Sequence, residues 1–416
     1  MKKATALRVW LTRSFKPFLF RGEADERLNF QEVKRVGLYV HIPFCETICG
    51  FCPYCKSPYE SKKAARYVKA LIGEIRMIGK QCAGVKEATS LYFGGGSPAL
   101  LREYIGEIVE AVGGYFRVTQ GIGVELRPSD VNVETLLSLK RAGVSKISIG
   151  VQSFQSAALA QLGRPAPDTA AIKSALAQVP FETVSVDLIF ATPRQTFEDL
   201  RRDIDTAFAI GANHAAIYPF VNFSFAQNRG GTMGEREKRA LLYRIGEYCE
   251  GKGYVRTSVW TFAKESGALY SSMTRDNFLG FGCSATSLLM DQFKINTFSV
   301  DEYINRVGET RLPTSLTLRF TRRQRMVYYL FWTAYTARID PRGFEDTFGV
   351  ALEKEFGLEL FLARAAGLIE KKNGIYRLTR RGIYYYYYFE QFYTLAYIDK
   401  MWGVMRKTAF PDRIAL

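Results

Sequence analysis

The chain has 416 residues, 47% hydrophobic and 24% charged, the composition of a folded globular protein and not of a disordered tail, a collagen-like repeat or a small stapled peptide. Lysine and arginine total 57 against 41 for aspartate and glutamate, a net charge of +16. That balance favours anionic partners: nucleic acid, a lipid surface or a polycarboxylate.

In chain order, residues 1–36 read as a basic and aromatic extension carrying Trp10, Phe15, Phe18 and Phe20. It opens on lysines, but Arg8, Arg13 and Lys16 break any signal-peptide apolar core. No apolar run reaches the ~18 residues of a transmembrane helix. Leu38–Ile42 reads as a buried strand ended by Pro43. Four cysteines follow, and then a helix over about 62–78 with Ala65, Val68, Leu71, Ile72 and Ile75 at helical spacing. Further strands are read at Thr89–Phe93, Gly121–Leu126, Lys146–Gln152, Thr183–Phe190 and His214–Tyr218. Helices are read between and after them, at about 133–142, 168–178, 197–210 and 234–251. Strands alternating with helices imply βαβ units and a parallel sheet. Six units predict an α/β fold, a partial (β/α)6 barrel of the TIM type spanning 37–310 and not a closed eightfold one.

The chemistry concentrates where these strands end. Cys45, Cys49, Cys52 and Cys55 stand in C-x3-C-x2-C-x2-C spacing just past the first strand. Thiolates this close converge on a soft metal centre. Zinc is one reading, yet structural zinc sites usually use separated cysteine pairs or histidines, and the chain holds only His41 and His214. Three cysteines at this spacing suit three irons of a [4Fe–4S] cluster, with the fourth iron open. Seven cysteines so distributed suit a reducing, cytoplasmic compartment. Gly94-Gly95-Gly96-Ser97 after the second strand permits either close backbone approach to a ligand or a turn at positive φ. Glu125, Gln152 and Asp187 recur at strand ends, which face one mouth in such barrels.

From Thr321 the composition changes, and 311–416 reads as a separate module. A helix opens at Thr321–Arg325, a second segment starts at Pro341, a helix spans 358–369, and Asn373-Gly374 marks a turn into a strand. This is winged-helix-like, but the basic residues are not gathered on one recognition helix, so no nucleic acid is expected. The tail, Ile383-Tyr384-Tyr385-Tyr386-Tyr387-Tyr388-Phe389 and onward through Trp402, suits an aromatic helix packed on the barrel. Its alternative is a face at the inner surface of a membrane, shared with the N-terminal extension.

The stretches YVHIPFCETICGFC, YFGGGSP, VELRP, IGVQSF, DLIFATPRQT and LGFGCSA, from Tyr39 to about Ala285, resemble a radical S-adenosylmethionine (SAM) enzyme. More narrowly they resemble the oxygen-independent coproporphyrinogen III oxidase family, with its haem chaperones and radical methyltransferases. The resemblance implies Cys45, Cys49 and Cys52 as ligands of a [4Fe–4S] cluster and Tyr39 as a catalytic-site residue beside it. It implies Gly95, Gly96 and Ser97 around the methionyl end of SAM, Glu125, Arg164 and Asp187 around the rest, and Gln152 near a second SAM. The bona fide oxidase has its extra cysteine two positions after the third ligand, whereas Cys55 stands three after Cys52. Together with Gln152, this favours C-methylation of a planar hydrophobic substrate, a quinone or tetrapyrrole. The alternatives are oxidative decarboxylation of coproporphyrinogen III, an anionic substrate, and a non-enzymatic haem chaperone. An electron donor such as flavodoxin or ferredoxin is implied.

Overall fold

The protein is described from a computed structural model covering residues 2–22, 27–226, 231–264 and 276–416. Six parallel strands lie side by side in chain order: β1 (Arg35–Ile42), β2 (Lys86–Gly95), β3 (Ile122–Leu126), β4 (Val144–Gln152), β5 (Thr183–Phe190) and β6 (His214–Pro219). Helices Ser61–Gly79, Ile105–Gly113, Val133–Arg141, Ser156–Leu162, Thr169–Gln178 and Phe197–Ala209 fill the crossovers, and Glu235–Gly251 follows β6. The helix at 61–79 buries Val68, Leu71, Ile72 and Ile75 as their spacing predicts, but Ala64 is buried in place of Ala65, which is exposed. The helix at 197–209 starts on a reciprocal cap: Asp199 N–H donates to Thr196 Oγ1 at 3.2 Å, and Thr196 N–H donates to the Asp199 carboxylate at 2.9 Å.

Among the described residues the six units do not close on themselves. β6 continues into antiparallel Thr261–Ala263, while β1 pairs on its outer side with parallel Phe278–Phe281. Antiparallel strands Thr286–Leu289, Gln292–Asn296 and Thr314–Arg319 extend the sheet to Leu19–Arg21, which pairs with Arg413–Ala415. The two ends of the chain therefore join the sheet that carries β1 to β6.

Burial along the strands locates the inner face. Strands covered on both sides read as continuous apolar runs. β5 is buried throughout except at Asp187, β3 except at Glu125, and β1 after its exposed Arg35 except at Tyr39. The polar side chains that interrupt these runs thus share the C-terminal half of the parallel sheet.

The C-terminal module has its own small core. Met326 and Tyr329 of helix Arg322–Ala334 meet Phe344 of Pro341–Phe348, Leu352 and Phe356 of Leu352–Ala365, and Tyr376. A hairpin, Ile369–Lys372 with Ile375–Leu378, adds Arg338–Ile339 as a third strand. Asn373 and Gly374 have φ of 51° and 80°, as a two-residue hairpin turn demands. The helix expected over 358–369 starts earlier and stops at Ala365, because Gly367 at φ 65° ends it. The aromatic tail forms helix Arg380–Tyr393, a π-turn over Thr394–Ile398 and helix Asp399–Met405. It packs onto the barrel, with Tyr387 5.7 Å from Trp260 and 6.0 Å from Phe190 between ring centroids. Among the described residues no helix is long and apolar enough to cross a membrane.

One buried carboxyl ties the outer helix to the sheet extension. Glu74 accepts from Tyr303 Oη at 2.6 Å, Gly282 N–H at 2.7 Å and Asn296 Nδ2 at 2.7 Å. Burial pushes it up to about 7 despite these donors. Glu74→Ala leaves three buried donors unpaired, each costing about 1–3 kcal/mol. A large drop in the urea midpoint is expected, and a midpoint within error of wild type would refute the assignment.

Candidate active site

The cysteine loop is held at both ends. Phe44–Cys45 pairs with Ser57–Pro58 as a two-residue ladder, and Tyr59 N–H donates to the Cys45 carbonyl at 3.0 Å. Lys56 Nζ donates to the carbonyls of Cys49 (2.5 Å) and Cys52 (3.0 Å), drawing the loop closed. Burial and the neighbouring Cys52 and Cys49 push the Cys45 thiol up to about 11, and burial raises Cys52. Three thiols that repel one another as thiolates are stable together only around a cation.

The glycine loop stands against this loop with no room to spare. A Cβ on Gly96 would lie 2.9 Å from Cys45 Sγ and 2.5 Å from the Phe44 carbonyl. One on Gly95, whose φ is +115°, would meet the His41 ring at 2.6 Å, and one on Gly94 would meet the Glu125 carboxylate at 2.9 Å. Gly96 N–H and Ser97 N–H donate to the Ile42 and Phe44 carbonyls, so the loop is stitched to β1. Ser97 is 1% exposed and its Oγ has no hydrogen-bond partner. A buried hydroxyl beside a cysteine loop suits a polar ligand atom.

Opposite lie the two carboxyls. Glu125 accepts from Gly95 N–H at 3.1 Å, and Asp187 accepts from Ser148 Oγ at 2.8 Å. Burial raises both, and burial with the Glu125 charge pushes Asp187 up to about 7. Tyr92 and His41 counter the rise at Glu125, while Ser148 counters it at Asp187. Tyr54 is 49% exposed as a residue, yet burial of its hydroxyl raises that group, and Glu125, Cys52, Asp187 and Tyr335 add to the rise. Tyr218 feels Tyr335, Asp187 and Tyr54.

The remaining expected residues fall around this centre. Gln152 ends β4 at φ 72°, a left-handed conformation of the kind that functional sites retain. Arg164 follows the left-handed Gly163, its guanidinium 5.8 Å from the Phe51 centroid, its Nε buried without a hydrogen-bond partner and its charge felt at Cys52. Tyr39 bonds His41 Nδ1 at 3.0 Å and stacks on Tyr92. The structure adds residues that sequence reading did not single out: His41, and the tyrosines Tyr54, Tyr218 and Tyr335. His41 was in plain view inside the strand motif, whereas no local signal unites the tyrosines.

The C-terminal module covers this mouth. Arg406 donates to the carbonyls of Pro53 and Tyr54. Trp402 lies 6.1 Å from Tyr54 and 6.1 Å from Phe298, and stacks on Phe223 at 6.0 Å.

Residues 39–207, which carry the cysteine loop at the end of the first strand, the glycine loop at the end of the second and the strand-end carboxyls beyond them, match the model of the radical SAM superfamily. Over a longer stretch the chain is similar to proteins named as haem chaperones and as coproporphyrinogen III oxidases. It is 28% identical to the "Heme chaperone HemW" of Bacillus subtilis over 83% of this chain and 95% of that protein. It is also 28% identical to an "Oxygen-independent coproporphyrinogen III oxidase" of Cereibacter sphaeroides over 71% of each. In fold it is similar to coproporphyrinogen III oxidase (HemN) from Escherichia coli, with a TM-score of 0.76, 20% identity and coverage of 92% of this chain and 98% of that one.

The superfamily implies a [4Fe–4S] cluster and SAM, and the residues fit both: three cysteines gathered in one clamped loop, a buried hydroxyl without a hydrogen-bond partner and two carboxyls that burial raises. A cationic ligand with hydroxyl donors should ionise Asp187. In the free protein its raised pKa gives stability that is present below pH 4 and lost as pH rises through 7. Asp187→Asn should therefore raise the thermal stability of the free protein more at pH 8 than at pH 5. The same change should weaken SAM binding to the reconstituted protein at least tenfold, since a hydrogen bond to a charged group contributes about 1.5–3 kcal/mol. Unchanged SAM affinity, measured by calorimetry, would refute this role for Asp187.

Proposed function

We propose that this chain is a radical SAM enzyme that methylates carbon on a planar, hydrophobic substrate of the quinone or tetrapyrrole type. The observation supporting this reading is the grouping beside the cysteine loop of two carboxyls, Glu125 and Asp187, with the hydroxyls of Tyr54, Tyr218 and Tyr335, close enough to raise one another. Cys45, Cys49 and Cys52 would hold the cluster, and Gly95, Gly96 and Ser97 the methionyl end of SAM. Glu125 and Asp187 would accept from its ribose hydroxyls. Bound together, cluster and SAM supply a one-electron cleavage of the sulfonium and a carbon-centred radical. The protein then orients and encloses. Flat aromatic walls suit a flat ring, and Trp402 with Phe223 and Phe298 keeps water from the mouth. Gln152, at the end of β4, offers an amide to a second SAM as methyl source. A small iron–sulfur or flavin protein would deliver the electron, and an acidic one suits the +16 charge.

A second reading is oxidative decarboxylation of coproporphyrinogen III. Arg164 favours it, because an arginine with an unpaired buried Nε beside Cys52 and Phe51 suits a propionate. The named oxidase relative supports it as well. The relative named as a haem chaperone supports a third, non-enzymatic role.

The test is anaerobic incubation of the reconstituted protein with SAM, a reductant and a membrane-containing extract, with 5′-deoxyadenosine and S-adenosylhomocysteine quantified. Methylation predicts both products, lost by at least a hundredfold in Cys45→Ala. Deoxyadenosine alone, with conversion of added coproporphyrinogen, would replace methylation by decarboxylation. Neither product, with tight haem uptake, would establish the chaperone reading instead.

A further inference from the structure

We infer that His41, Cys55 and Cys283 form a second metal site, distinct from the Cys45–Cys49–Cys52 loop and built for a thiolate-seeking divalent ion of the zinc type. The inference is independent of which reaction the cavity supports. One ligand atom from each of the three residues lies within 4.8 Å of the other two. The residues are 3%, 6% and 0% exposed, so this is no chance surface cluster. They come from separate parts of the chain: the end of β1, the segment leaving the cysteine loop, and the turn after strand Phe278–Phe281.

The spacing suits coordination better than a cross-link. Cys55 Sγ and Cys283 Sγ stand 3.9 Å apart. Two sulfurs at about 2.3 Å from one tetrahedral ion lie about 3.8 Å apart, whereas a disulfide needs about 2.05 Å. The imidazole is already oriented. Its Nδ1 is 3.0 Å from the Tyr39 hydroxyl, and a hydrogen bond on that nitrogen leaves Nε2 to face an ion, the usual support for a ligating histidine. Nε2 now sits 3.0 Å from the Cys55 carbonyl, a contact that the ion would replace. The Phe298 carbonyl, 3.1 Å from Cys55 Sγ, stands where it can complete a fourth position.

An outer layer holds these ligands in place. Tyr67 Oη donates to the His41 carbonyl at 2.7 Å and accepts from Cys283 N–H at 3.0 Å. Glu74 fixes the adjacent Gly282 N–H. On binding, both thiol protons pass to solvent, and the two thiolates balance the charge of the ion. The ion would join β1, the cysteine loop and the sheet extension at one point, directly behind Gly95, whose notional Cβ meets the His41 ring.

The test uses full-length protein in which Cys45, Cys49 and Cys52 are all alanine, so that no cluster forms. After incubation with zinc chloride and desalting, elemental analysis should find one zinc per chain. Adding Cys55→Ser or Cys283→Ala should lower zinc affinity at least tenfold, with circular dichroism confirming that each variant folds. X-ray absorption at the zinc edge needs no change at the new site. It should show two sulfurs near 2.3 Å together with nitrogen or oxygen near 2.0 Å. Absence of zinc from the triple variant would overturn the site, as would a first shell lacking sulfur. A Cys55–Cys283 disulfide found by non-reducing peptide mapping of the freshly isolated protein would overturn it in favour of a thiol pair.

Discussion

No side chain fits between β1 and β2 where the three glycines stand, and the geometry of the site follows from that exclusion. Gly94 backs onto Glu125, Gly95 onto His41 and Gly96 onto Cys45. Any Cβ at the last two positions would push the histidine ring or the cysteine loop outward. With hydrogen alone there, backbone donors of β2 reach the carbonyls of Ile42 and Phe44. The cysteine loop, the carboxyl on β3 and the hydroxyl of Ser97 are then held in one small volume. Glycine at these positions costs conformational entropy in the unfolded chain. The buried strands on either side, with Val40, Ile42, Leu91 and Phe93 all at 0% exposure, offset it at about 1.5–3 kcal/mol for each fully buried large side chain.

The second constraint is closure. A parallel sheet leaves its carboxyl edge open, and here the C-terminal residues cover it. Ser224 N–H and Oγ bond the Asp399 carboxylate at 2.9 and 3.1 Å, while Arg406 bonds the loop just past Cys52. Trp402 fills the space between these two anchors. The aromatic tail thus acts as a wall as well as a core. Its lining decides whether a flat ring or a cluster of carboxylates is the better guest.

Much of this was legible in the sequence where local pattern and tertiary role coincide. β5 matches its expected bounds, Thr183–Phe190, because a buried strand flanked by turn residues leaves little choice. The glycine and cysteine loops were visible because their spacing is local. The helix Ile105–Gly113 went unread, since Gly106, Gly113 and Gly114 dilute its pattern. The three-residue strand Leu19–Arg21 went unread because its partners lie almost 300 residues away or more. Cys55 and Cys283 each stand in a visible motif, but nothing in a linear chain announces that thiols 228 residues apart touch. Tyr335 joins Tyr54 and Tyr218 only because the C-terminal module folds back over the mouth. Distance along the chain separates what could be read from what could not.

The guanidinium of Arg406, holding the carbonyls of Pro53 and Tyr54, also imposes an order in time. The cysteine loop emerges early in synthesis, but its tether is made some 350 residues later. Until then the loop lacks its clamp and Trp402 leaves the mouth uncovered. The loop therefore takes its final form only after residues far along the chain have folded against it. The arginine works as a latch that is set last, binding the front of the chain to its tail.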